Sequence, residues 1–148
     1  KANHLGFQSS KDIEVFGDVG LSFGDSLYGG RLLCHGDAGS YTGDLMKSGR
    51  IEIIGHANAD LGYGMTGGEI IVRGGAVPHA HDDNSVGLGI HGGRIVVEGQ
   101  IGDAVIVGEE MSGGEIHING ENRFEVKGAI SGRIYHKGKL IFEKSGKG

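Results

Sequence analysis

His79, His81, Asp82 and Asp83 are the side chains of this 148-residue chain best placed by spacing to do chemistry. A His-x-His pair on an extended loop offers two imidazoles to a zinc or nickel ion, and a neighbouring carboxylate can supply a third ligand. His91 lies one short segment later and could approach them. The other reading of this stretch is a loop that contacts a neighbouring protein. The contact loop is the reading taken, with the four residues as the alternative metal ligands; no metal site is assigned.

Two further motifs name reactions. Gly20-Leu21-Ser22-Phe23-Gly24 spells G-x-S-x-G, the nucleophile elbow of esterases. That elbow needs a strand, a sharp turn and then a helix, and no helical periodicity follows Gly24. Gly39-Ser40-Tyr41-Thr42-Gly43 repeats the same spacing, so the motif falls out of a repeat. Gly62-Tyr63-Gly64-Met65-Thr66-Gly67 and Gly87-Leu88-Gly89-Ile90-His91-Gly92 both spell G-x-G-x-x-G. A dinucleotide site requires that fingerprint to open a helix within a βαβ unit. Two copies in register with a glycine repeat speak for corner geometry instead. No catalytic and no cofactor-binding residue is assigned.

The elements that would position these residues follow from composition and period. Glycine makes up 32 of the 148 residues, against a usual share of roughly 7%. Collagen would need much proline, and there is one, Pro78. Disorder would need few aliphatics and high charge, yet apolar residues form 37% and the net charge is −5. The glycines therefore serve geometry inside a folded chain. Lys137, Lys139, Lys144 and Lys147, interrupted by Glu143, read as a solvated end, and with no basic stripe elsewhere a nucleic-acid partner is not expected. The one cysteine, Cys34, reads as a buried thiol in a strand. No signal peptide or apolar run of membrane-spanning length is read, so the expectation is a soluble cytoplasmic protein with no membrane partner.

Gly17, Gly36, Gly55 and Gly74 are spaced by 19, 19 and 19 residues, and Gly99, Gly120 and Gly138 continue at 25, 21 and 18. A second column, Gly30, Gly49, Gly68, Gly93, Gly114 and Gly132, sits six residues before the next anchor. A third is Gly24, Gly43, Gly62, Gly87 and Gly108. The unit has three short sides with glycine at each corner. The longest insertion centres on residues 78–83.

The side before each anchor alternates, as in Arg50-Ile51-Glu52-Ile53 and Arg94-Ile95-Val96-Val97, with the second and fourth positions apolar. Leu27, Met46, Met65, Ile90, Met111 and Ala129 form one further apolar column, which predicts stacked core rather than ligands. The outward charges Arg50, Glu69, Arg94 and Glu115, with Glu52, Arg73, Glu98 and Asn119, change sign between repeats and predict cross-strand pairs.

Such strands bury a face only when coil stacks on coil. The expected fold is all-β, a single-stranded parallel β-helix of about six to seven short coils, roughly 30 Å tall at about 4.8 Å per coil. Residues 1–10 are expected as an N-terminal cap, 11–142 as the repeat domain and 143–148 as a flexible tail. The open ends and flat faces are candidate surfaces for a homo-oligomer.

The units Gly62–Gly74, Gly87–Gly99 and Gly108–Ile118 resemble the glycine-rich (GXGXG) repeat family shared by two enzymes. One is formylmethanofuran dehydrogenase, where the family forms a subunit of its own; the other is glutamate synthase, where it forms the C-terminal domain of the large chain. The resemblance covers about residues 11–142. It implies a right-handed β-helix that is structural and non-catalytic and that holds the catalytic subunits of a parent complex together. Molybdenum or tungsten pterin, zinc, flavin and iron–sulfur groups are then expected in partner subunits and none in this chain. A separate chain favours the formylmethanofuran dehydrogenase type, with a role in one-carbon metabolism and methanogenesis. A detached glutamate synthase domain is the alternative, and a self-associating binding protein or a small independent hydrolase comes next.

Overall fold

The computed structural model describes residues 1–76, 85–102 and 105–145. The insertion expected around residues 78–83, with its histidines, lies outside them. The chain forms a parallel β-helix of about six turns. Its strands are β1 (Ile13–Val15), β2 (Tyr28–Cys34), β3 (Ser48–Ile53), β4 (Glu69–Val72), β5 (Ser85–Val86), β6 (Arg94–Val97), β7 (Ile106–Val107), β8 (Ser112–Ile118), β9 (Glu125–Val126), β10 (Ser131–His136) and β11 (Lys139–Lys144). Eight of them, in the order β1-β2-β3-β4-β6-β8-β10-β11, form one sheet, and β5-β7-β9 form a second. Single parallel bridges Ala38–Ala57–Ala76–Ile101 run up the remaining side.

The register explains the alternation. Ile51 lies across from Leu32 and Ile70, and Ile53 across from Cys34 and Val72, so each apolar position stacks on its counterpart. Leu27, Met46, Met65, Ile90 and Met111 are fully buried in one column, and Ala129 packs partly buried at its end. Thr42 interrupts the apolar column of Phe23 and Leu61, and its hydroxyl donates to the Gly39 carbonyl at 3.2 Å. Cys34 is fully buried; burial is the main cause that pushes its thiol up from the ordinary range.

The glycine columns have separate causes. A Cβ on Gly99 would stand 2.7 Å from the carbonyl carbon of Gly74 in the coil below, so the anchor column allows backbone to lie on backbone. Gly87 has φ +76°, and a Cβ there would stand 2.5 Å from the Ile116 Cδ1 of the next coil. That glycine is both a left-handed corner and a seat for an isoleucine.

The two ends differ from the expected pattern. Residues 2–10 lie on the first full coil through ladder hydrogen bonds: Gly20 N–H donates to Ala2, Gly24 N–H to Leu5 and Tyr28 N–H to Ser9. At the other end the parallel order stops. Gly138, expected as a further anchor, instead follows Lys137 in a two-residue turn with φ of +52° and +79°. Two left-handed residues in succession reverse the chain tightly, and β11 pairs antiparallel with β10, with Phe142 across from Ile134. The strand runs to Lys144, past the boundary expected at residue 142.

The isoleucine seat is testable in urea. Gly87→Ala should cost about 2–4 kcal/mol, combining left-handed strain with overpacking. Ile116→Val in the same chain removes the clashing methyl, so the pair should cost about 1 kcal/mol less than the sum of the single changes. Strict additivity would refute the contact. Native Cys34 should likewise stay unreactive to a disulfide reagent until the chain unfolds.

Candidate functional site

The side chains free to act are those outside the stack, and the largest ordered set lies on the outer face of the eight-stranded sheet. One row across its strands reads Asp12, Arg31, Arg50, Glu69, Arg94, Glu115, Arg133 and Glu143. From Arg50 onward the signs alternate. Arg94 meets Glu69 at 2.8 Å and Arg133 meets Glu115 at 2.7 Å. The Glu115 carboxyl is held below the usual range, first because His117 hydrogen-bonds it and then by Arg133 and Arg94. A second network joins Arg73 to Glu52 at 2.9 Å and to Glu98 at 3.3 Å. Glu52 stands in a different row from the other two, across from Leu33 and Ile71, so its bridge is diagonal. Under these arms Ile71 and Val96 point outward yet are only 8% and 6% exposed, since long charged side chains cover apolar surface with their stems.

The alternation fails once, where Arg31 lies directly across from Arg50. Around that break is a surface cleft of about 550 Å³ lined by Asp12, Glu14, Arg31, Leu33, Arg50 and Glu52. Beside it Glu14 and His35 are 2.6 Å apart, and the His35 ring stacks on Phe16 with centroids 4.5 Å apart.

A second irregular place is the corner carrying the third glycine column. Tyr41 and Tyr63 are exposed there, edge to face at 6.5 Å, with Leu45 beside them. Asp44 follows in the same turn. Among the described residues its buried Oδ1 has no hydrogen-bond partner. Burial first, then the charges of Asp25 and Asp60, push its carboxyl up to about 6.

His79, His81, Asp82 and Asp83 lie outside the described residues, as does any approach of His91 to them. His91 itself bonds the Ser112 hydroxyl at 2.5 Å. Among the described residues no three His, Cys, Asp or Glu side chains converge as a metal site. Ser22 is a buried left-handed corner residue with φ +59°, its N–H donating to Ser40, and no histidine ring hydrogen-bonds its hydroxyl among the described residues. Both G-x-G-x-x-G stretches lead into strands, β4 and β6. No helix is long and apolar enough to cross a membrane among the described residues.

His35, His56 and His117 occupy separate columns. His56 belongs to a corner ladder that none of the sequence motifs covers. Asp37 N–H donates to Asp18, His56 N–H to Asp37, and Gly75 N–H to His56 Nδ1, at 2.7 to 2.8 Å. Its signal was present, because Asp18, Asp37 and His56 each follow an anchor glycine.

These features define a parallel β-helix with a charged row on its sheet face that alternates in sign from Arg50 onward and is broken between Arg31 and Arg50. No family model matches the chain, and no curated protein does.

Asp44 gives a pH test. Its folded pKa of about 6 lies above the usual 3.8. The folded state therefore holds the proton more tightly, and the stability this adds is full below about 3.8 and lost as pH rises through 6. Asp44→Asn should raise Tm by about 2–4 °C at pH 8, an effect reduced by partial solvent screening, and should leave it unchanged at pH 3.5. Equal shifts at both pH values would assign the effect to packing.

Proposed function

We propose that this chain is a non-catalytic assembly module of a multi-subunit oxidoreductase, of the type represented by the glycine-repeat subunit of formylmethanofuran dehydrogenase. One observation carries the reading: the repeated positions are used for stacking. Inward side chains fill one continuous core, corner glycines allow backbone contact, and corner side chains such as Asp37 and His56 hold the amides of the next coil. A stack of this kind is stiff and presents flat faces and edges, which suits positioning other chains rather than enclosing a substrate. The resemblance of the Gly62–Gly74 and Gly87–Gly99 units supports the same role. Pterin-bound molybdenum or tungsten, zinc, flavin and iron–sulfur groups then belong to the catalytic partner subunits.

The test is isolation of the tagged chain from its native host at low salt, with mass spectrometry and cofactor analysis of whatever elutes with it. The expected result is a complex with larger chains that carry a metal–pterin, flavin or iron–sulfur group. Stripping this chain away should split the complex, and the chain alone should have no redox activity. A monodisperse monomer by light scattering, with no larger chain attached, would refute the proposal.

A further inference from the structure

We infer that the cleft on the outer face of β1, β2 and β3 is a carboxylate-binding site built on Arg31 and Arg50. Like charges directly opposite on neighbouring strands destabilise a sheet. Elsewhere in this row, from Arg50 to Glu143, each arginine has glutamates across from it. Here two arginines face each other on adjacent strands, whose backbones lie about 4.8 Å apart. The Arg31 guanidinium makes no hydrogen bond or ion pair with any described residue. Arg50 is held loosely, at 3.7 Å from Glu52 and 3.9 Å from Glu69, where Arg94 and Arg133 have partners within 2.8 Å.

The acids that line the cleft make no ion pair with Arg31, and each has another contact. Asp12 accepts the Arg31 backbone N–H at 2.9 Å, Glu14 is paired with His35, and Glu52 accepts from Arg73 at 2.9 Å. What remains is a pair of guanidinium groups above half-buried Leu33. Two forks side by side suit an oxyanion held by paired N–H bonds. A carboxylate fits better than a phosphate for two reasons. Its single charge is repelled less by Asp12, Glu14 and Glu52, and an apolar stem can lie on Leu33. The carboxylate can belong to a free small acid or to an acidic side chain of a partner. The inference goes beyond the assembly reading, and neither depends on the other.

The test uses the full chain, labelled with ¹⁵N, titrated with butyrate, with the blocked tripeptide acetyl-Leu-Glu-Leu-amide and with inorganic phosphate. Butyrate should give saturable shifts at Arg31 and Arg50 Nε and at the Leu33 amide. Arg31→Gln should weaken binding about tenfold, the loss of a charge-assisted pair of bonds. It should also raise Tm at low ionic strength, because it removes the repulsion with Arg50. Arg94→Gln, in the matched part of the same row, should leave binding within about twofold of the parent, as expected for an exposed, distant charge. Tighter binding of the tripeptide than of butyrate would identify a partner side chain as the source, and the reverse a free acid. Shifts that never saturate, equal loss in Arg31→Gln and Arg94→Gln, or phosphate binding as tightly as butyrate would overturn the inference.

Discussion

The close approach of backbone to backbone at the corners governs this molecule. Coils joined by strand pairing repeat at about 4.8 Å, and a side chain at an anchor position would occupy the space of the coil below. A Cβ on Gly74 would stand 2.5 Å from the Gly55 carbonyl oxygen, and one on Gly120 would meet Gly99 in the same way. The same geometry forces left-handed backbone at the neighbouring corners, even where the residue is not glycine. His4, Ser22, Tyr41 and Asp60 form one such column, with φ between +57° and +65°. Each of these residues donates its N–H to the next coil, to Leu21, Ser40, Ala59 and Ser85. The hydrogen bonds that stack the coils thus hold the conformation that costs non-glycine residues about 1–2 kcal/mol apiece.

Once the corners are set, the side chains have no freedom of register. A one-residue slip would turn every core residue of a strand outward, and the isoleucine seats would be empty. The columns of Ile51, Ile70, Ile95 and Ile116 and of Met46, Met65 and Met111 follow from the corner positions. So does the charged lattice outside. Its exposed pairs are each worth only about 0–1 kcal/mol, and their effect is chiefly to cover Ile71 and Val96. The sheet ends in β11, a strand whose exposed Leu140 and Ile141 lie between Lys139, Glu143 and Lys144. Charged residues on an edge strand discourage further pairing.

Much of this was legible in the residues because stacking turns a period in the chain into a column in space. The strands before each anchor, the methionine column and the burial of Cys34 all lie where their spacing put them. Three features did not follow the period. Residues 2–10 form ladder bonds although they carry one corner glycine, Gly6, and no anchor. The pair Lys137-Gly138 keeps the spacing of the repeat, but two left-handed residues in succession make a hairpin turn. Asp44 owes its raised pKa to burial and to Asp25 in the coil below and Asp60 in the coil above, charges 16 to 19 residues away in the chain. The Arg31–Arg50 contact was visible in the strand alignment. It disappears when the alternation is counted only from Arg50 onward.

Translational repetition gives each group a copy of the same neighbours, so a matched row stays matched along the stack. Distinct chemistry therefore requires a departure from the repeat. Among the described residues the clearest departures lie in the second and third coils: Arg31 against Arg50 on the sheet face, and Asp44 between Asp25 and Asp60 at a corner. The later coils pair Glu69 with Arg94 and Glu115 with Arg133. The charged row is thus polarised, with like charges together toward its N-terminal end and matched pairs toward the hairpin. Both imbalances cost stability in the isolated chain, the first by repulsion between cations and the second by desolvation of an acid. A ligand or partner of opposite charge relieves the cost at either place, and its binding is strengthened by the repulsion it removes.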